Sequence, residues 1–320
     1  MIVIHARGNE KIGIGNLARC YELVKFLAKE YEVRAIFECD EKLFFRFSQN
    51  AFRSESLEHS KELIARLEPK IYINDLLDSN KSLSDFVKGV GAQKIVSFNT
   101  LEYGFEPDVL FIADEFNYPA PHGKFKVFRS FNYYIVGEDV LKSRTKFIPK
   151  KRLENVLLSF GGSDPAMFSE YFADVIKEND KHRYTLVLGP AMSEERKIRI
   201  RSVKKTNLDF IDSPADLIEL LKKHDILLTL GGMSGYEAMT LGVPVCGVQW
   251  EYLAYVVKSF GELKMMNDLG NISDAYANLL NLDIDRVNEI CQNAYHKIDG
   301  NALANITKVL EGFIDERNHS

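Results

Sequence analysis

No apolar run in this chain approaches the length of a bilayer-crossing helix, about 18 residues, so no membrane span is expected. Cysteine is sparse. Cys20, Cys39, Cys246 and Cys291 are scattered, form no CxxC pair and have no histidine at metal-ligand spacing, so they are expected to be reduced core thiols. Positive charge is not in excess: the formal net charge is −5, which argues against a nucleic-acid partner. The opening Met1-Ile2-Val3-Ile4-His5-Ala6-Arg7 lacks the long apolar region of a secretory leader and is expected to be a first strand. A cytoplasmic protein is therefore the expectation. Apolar residues make up 46% of the 320, enough for the cores of two ordinary domains and too many for a disordered chain.

Both halves alternate short β-branched or aromatic strands with helical stretches, the pattern of parallel sheets covered by helices. In the first half 2–6, 32–37, 71–74, 94–98 and 109–112 are expected strands, with 134–136 as a last one. Tyr118-Pro119-Ala120-Pro121-His122-Gly123 is irregular. The basic, aperiodic run 142–152 is the expected connection between domains. In the second half strands are expected at 155–160, 183–188, 208–211, 225–230 and 244–248, each followed by a helix. The fold class is thus α/β, two doubly wound Rossmann-like domains facing each other across a cleft. Residues 1–148 are expected to form the first domain and 149–320 the second, the last helix being free to return to the first domain.

Two turns carry the chemistry. Val156-Leu157-Leu158 runs into Ser159-Phe160-Gly161-Gly162-Ser163-Asp164-Pro165, and Ile226-Leu227-Leu228 runs into Gly231-Gly232-Met233-Ser234-Gly235-Tyr236-Glu237. A strand that delivers a glycine turn into a helix start leaves backbone N–H groups unpaired and positive, and two such turns at one sheet edge can hold a nucleotide diphosphate. Ser163 and Asp164 are expected to cap the first helix, with the free amides at 163–166 and 234–237. Glu237, one turn further, is placed to accept from both ribose hydroxyls. Near the amino terminus Gly13-Ile14-Gly15-Asn16 forms a third turn, in which Asn16 is expected to cap a helix and Arg19 either reaches a phosphate or meets solvent. No metal or other cofactor is expected.

The segments SFGGSDP (159–165), GGMSGYEAMTLGVP (231–244) and IGIGNLAR (12–19), in this order and spacing, resemble the UDP-sugar hydrolase of pseudaminic acid biosynthesis and the related spore-coat polysaccharide biosynthesis family. Both belong to a wider group with the GT-B glycosyltransferase architecture, including the MurG-type transferase. The resemblance implies that Gly162, Ser163, Ser234, Gly235 and Glu237 bind uridine diphosphate; Gly161, Gly13, Gly15, Arg19, Asp75 and Trp250 are further candidates to contact the substrate. It implies an enzyme of surface-glycan biosynthesis acting on a UDP-activated amino sugar.

Departures from that pattern fall on the side of the sugar. Asn16 stands where the family carries the histidine that activates water, and an amide orients a water without taking its proton. Asp75-Leu76-Leu77 replaces an Asp-His-Tyr, and Asn99-Thr100 replaces paired aspartates. The remaining candidate bases are His5, Asp75, Asp114 and Glu251, with Glu251 the best placed, just beyond a strand. Three readings stay open: a hydrolase with an altered site; a glycosyltransferase whose Leu76, Leu77 and Trp250 face a glycan or protein acceptor; and a nucleotide-sugar-binding protein without turnover.

Overall fold

The structure, a computed structural model, describes residues 1–9, 12–98, 104–214, 216–251 and 253–315. Packing divides the chain into two units, Met1–Gly137 with the chain from Gly300 onward, and Glu138–Asp299.

Each unit is built on one parallel sheet. The first has β1 (Ile2–Arg7), β2 (Val33–Glu38), β3 (Ala51–Ser54), β4 (Ile71–Asp75), β5 (Lys94–Phe98), β6 (Val109–Ile112) and β7 (Lys126–Arg129), in the order β3-β2-β1-β4-β5-β6-β7. The second has β8 (Asn155–Leu158), β9 (Arg183–Leu188), β10 (Leu208–Asp212), β11 (Ile226–Thr229), β12 (Val245–Gln249) and β13 (Asn267–Asn271), in the order β10-β9-β8-β11-β12-β13. In each order the winding reverses once, between β1 and β4 and between β8 and β11. Loops leaving the carboxyl ends of such a pair diverge to opposite faces of the sheet and leave a crevice.

The central strands are continuous apolar runs because both of their faces are covered. Val156, Leu157 and Leu158 are fully buried, as are Val3, Ile4 and Ala6. The edge strands lack that pattern. All four residues of β7 are at least partly exposed and in β13 only Asn267 and Leu269 are buried, so β3, β7 and β13 had no apolar signature to announce them. The expected strand at 134–136 is not one. Ile135 and Val136 are buried as irregular chain, and β7 takes the edge instead.

The passage between units also differs from the expected 148. The helix Glu138–Ser143 belongs to the second unit, because Arg144 just after it donates to the carbonyls of Thr240, Ile298 and Tyr295 at 2.7–2.8 Å. Those carbonyls end two helices, Met233–Leu241 and Ile284–Lys297, where a cation is favoured. The last helix, Ala302–Asp315, packs Ala302, Leu303, Ile306, Leu310 and Phe313 into the core of the first unit.

Candidate functional site

In the second unit both glycine turns leave the strands that flank the reversal, β8 and β11, which pair directly through Ile226–Val156, Leu227–Leu157 and Leu228–Leu158. Gly161 and Gly231 take φ of 89° and 87°, backbone that a side chain would strain. Among the described residues the N–H groups of Gly161, Gly162, Ser163 and Asp164 donate to nothing. The same holds for Gly231, Gly232, Met233 and Ser234, the last two opening the helix Met233–Leu241, which has no side-chain cap. Two rows of unpaired amides thus stand at one edge.

Several details differ from the sequence expectation. The helix after β8 begins at Phe168, not at 163–166, and Met167 precedes it in the left-handed region. Asp164 caps it from a distance: its carboxylate accepts from the N–H of Phe168 at 3.1 Å and of Ser169 at 2.8 Å. Those amides are spent, and the free ones belong to the turn itself. Burial raises the Asp164 carboxyl above its ordinary range, against the pull of these hydrogen bonds and of Arg196. Gly235 is buried against Thr229, Met266 and Val245, and its N–H is spent on the Gly232 carbonyl at 2.9 Å. Ser234 is half-buried, its hydroxyl 3.3 Å from that of Thr229.

Glu237 is half-buried and has no hydrogen bond or ion pair among the described residues. Burial alone pushes its carboxyl up to about 7. A carboxylate left without a donor, one turn from a row of free amides, is suited to accept from the hydroxyls of a ligand. Beyond β12, Trp250 packs partly buried against the core of the second unit, while Glu251 is exposed on left-handed backbone at φ 41°. No described group is placed to orient the Glu251 carboxylate.

At the reversal of the first unit the expected site residues meet one another. Arg19 donates from Nε to Asp75 Oδ2 at 2.6 Å and from Nη2 to Oδ1 at 2.5 Å. Its Nη2 also donates to Asn16 Oδ1 at 3.0 Å, and Asn16 Nδ2 donates to the Asp75 carbonyl at 3.3 Å. The helix here is Gly15–Leu27 with Ile14 at its cap position, so Asn16 is not the cap; it bridges the helix to β4. Gly13, at φ 80°, closes a small antiparallel bridge with Asn9, and Gly15 is the first helical residue.

The other candidate bases are engaged or out of reach. His5 is fully buried, with Nδ1 2.6 Å from the Tyr72 hydroxyl and Nε2 2.8 Å from Glu38 Oε1. Burial would raise the Glu38 carboxyl, yet His5 and Arg7 hold it down at about 2. Asp114 accepts from Arg129 at 2.9 Å and from the Tyr118 hydroxyl at 2.7 Å. Leu76 is buried in the core, whereas Leu77 is exposed. Asn99 and Thr100 lie outside the described residues. Among the described residues no group of three or more histidine, cysteine, aspartate or glutamate side chains could hold a metal, and no helix is long and apolar enough to cross a membrane.

One residue that sequence reasoning did not single out lies against the first turn. Arg196 donates to the Ser163 carbonyl at 2.9 Å and the Asp164 carbonyl at 3.1 Å, and to Glu170 at 2.7 and 2.9 Å. Nothing in its exposed, charged helix distinguishes it from its neighbours by sequence.

No family profile matches the chain. Spore coat polysaccharide biosynthesis protein SpsG of Bacillus subtilis is 23% identical over 280 residues, 83% of each chain. The crystal structure of Acinetobacter baumannii MurG superimposes with a TM-score of 0.66 at 11% identity, over 97% of this chain and 99% of that one. The kitacinnamycin glycotransferase gives 0.64 at 13%, over 96% and 97%. Staphylococcus aureus MnaA, solved with UDP, gives 0.63 at 12%, over 98% and 96%. At such identities the likeness is one of fold, and the two parallel-sheet α/β domains of this protein are those of the GT-B glycosyltransferase architecture.

Proposed function

We propose that the protein is a nucleotide-sugar-dependent enzyme of surface-polysaccharide biosynthesis, which binds a UDP-sugar on the second unit and transfers the sugar to an acceptor. The observation that carries the reading is the pairing, at one reversal point, of two rows of free amides with the half-buried carboxylate of Glu237, which has no partner among the described residues. Amides at 161–164 and 231–234 would share the diphosphate, and Glu237 would take the ribose hydroxyls. The same amides stabilise the charge that develops on the diphosphate as the anomeric C–O bond breaks. The SpsG name and the UDP-bound MnaA structure support both the ligand and the setting.

Hydrolysis is the second reading, and it rests on the resemblance around Asn16. Water attack needs a base, worth roughly 10²–10⁴ in rate. Asn16 is an amide tied to Arg19 and Asp75, and His5 is sealed in the core. Transfer to an acceptor is favoured by the likeness in fold to MurG and to the kitacinnamycin glycotransferase.

The test is a panel of UDP-sugars with chromatographic detection of free UDP. Release that requires an added glycan or peptide acceptor supports transfer. Release in water alone replaces it with hydrolysis, and failure of UDP to bind in calorimetry removes both.

A further inference from the structure

A trans peptide is planar, so the carbonyl of one residue and the N–H of the next point in opposite directions. Holding a carbonyl therefore aims the following amide. The four successive carbonyls of residues 161–164, in the turn after β8, each meet another segment of the chain. The Gly161 and Gly162 oxygens abut Gly189, where a Cβ would lie 2.5 and 2.2 Å from them. Gly162 also accepts from the N–H of Ala191 at 2.9 Å. Ser163 accepts from Arg196 Nη1 at 2.9 Å, and Asp164 from Arg196 Nη2 at 3.1 Å. The amides aimed the other way are those of Gly162, Ser163 and Asp164, all without an internal partner among the described residues.

We propose that Arg196 and Gly189 are the positioning residues of the phosphate turn, aiming the Gly162, Ser163 and Asp164 amides at the diphosphate; this rests on the nucleotide reading above. Arg196 suits the task because a guanidinium fork spans two neighbouring carbonyls and still binds a carboxylate, here Glu170 at 2.7 Å from Nε. That carboxylate sits on the helix Phe168–Val175, so the same arginine fixes the turn relative to the helix it leads into. An ammonium reaches one of these acceptors at a time. Gly189 acts by what it lacks, since any side chain there would push the two carbonyls and rotate the peptides.

The test compares UDP with uridine, which has no phosphate. Arg196→Met should weaken UDP about tenfold and leave uridine unchanged, with Arg196→Lys intermediate. Gly189→Ala should give a similar selective loss. Arg199→Met removes a second donor to Glu170 (2.9 Å) without touching the turn and should leave UDP affinity as in the wild type. Wild-type UDP affinity in Arg196→Met, or equal losses for UDP and uridine alongside a lowered melting temperature, would overturn the proposal. If the wild type itself fails to bind UDP, the nucleotide reading falls, and hydrogen exchange of the unliganded protein decides the clamp. Faster exchange confined to 162–164 in Arg196→Met supports it, and unchanged exchange there removes it.

Discussion

Arg19 and Asp75, which sequence reasoning assigned separately to the substrate, hold each other through two short hydrogen bonds, 2.6 and 2.5 Å, with the carboxylate buried. The thiol of Cys20 adds a third contact to Asp75 at 3.3 Å. A bidentate pair of this kind satisfies both charges internally and ties the first helix to β4.

Removing one partner should therefore damage the fold before it affects the nucleotide. Arg19→Met leaves a buried carboxylate unpaired and should cost about 3–5 kcal/mol in denaturant unfolding, partly recovered by adding Asp75→Asn. UDP affinity of the folded variant should stay at the wild-type level. A selective loss of affinity without loss of stability would put the guanidinium on a phosphate.

Glu237→Ala should weaken UDP by about 1–3 kcal/mol in calorimetry, because each ribose hydroxyl loses a charged acceptor. The 2′-deoxy analogue should lose less from the same substitution than UDP does. Equal losses for both would place Glu237 away from the 2′-hydroxyl.

The same residue predicts a pH dependence. Burial raises the folded Glu237 carboxyl from its ordinary 4.5 to about 7, so the folded state holds the proton more tightly than the unfolded chain does. This contribution to stability is complete below the ordinary value and is lost as pH rises through about 7. Glu237→Gln should accordingly stabilise the unliganded protein on the order of 2 kcal/mol at alkaline pH and hardly at all at acid pH. With the ribose role proposed for Glu237, UDP should bind more tightly to the wild type as pH rises from about 6 to about 8, and by more than in Glu237→Gln, where only the ligand's own phosphate titrates. Thermal melts and titrations across that range read both effects.

His5→Leu should destabilise the protein by about 2–4 kcal/mol, since the Tyr72 hydroxyl loses its partner inside the core and Glu38 keeps only Arg7 and Ser60. Turnover per folded molecule should be unaffected. A fall in kcat at full stability would make His5 a participant in the chemistry.

The glycine turns of the second unit were legible because their signals are local. Left-handed backbone at Gly161 and Gly231 demands glycine whatever lies around it, and runs such as Val156-Leu157-Leu158 mark strands covered on both faces. Edge strands were not legible, because half-exposed residues such as those of β7 carry no run and no clear alternation. Partnerships were the least legible. Arg19 finds Asp75 across 56 residues, and Arg196 finds Ser163 across 33, among many charged side chains of equal promise.

Taken alone, then, the order of residues determined two α/β domains and the glycine turns, each of which depends on the conformational range of a few neighbouring residues. Only the tertiary structure decided which polar groups are spent and which are free. Asp164 consumes the amides of Phe168 and Ser169 at the helix start, Arg19 and Asp75 cancel each other, and Glu237 is left without a donor among the described residues. The physical reason is that a hydrogen bond or an ion pair is settled by distances of about 3 Å, which the chain sets only once strands far apart in sequence lie side by side.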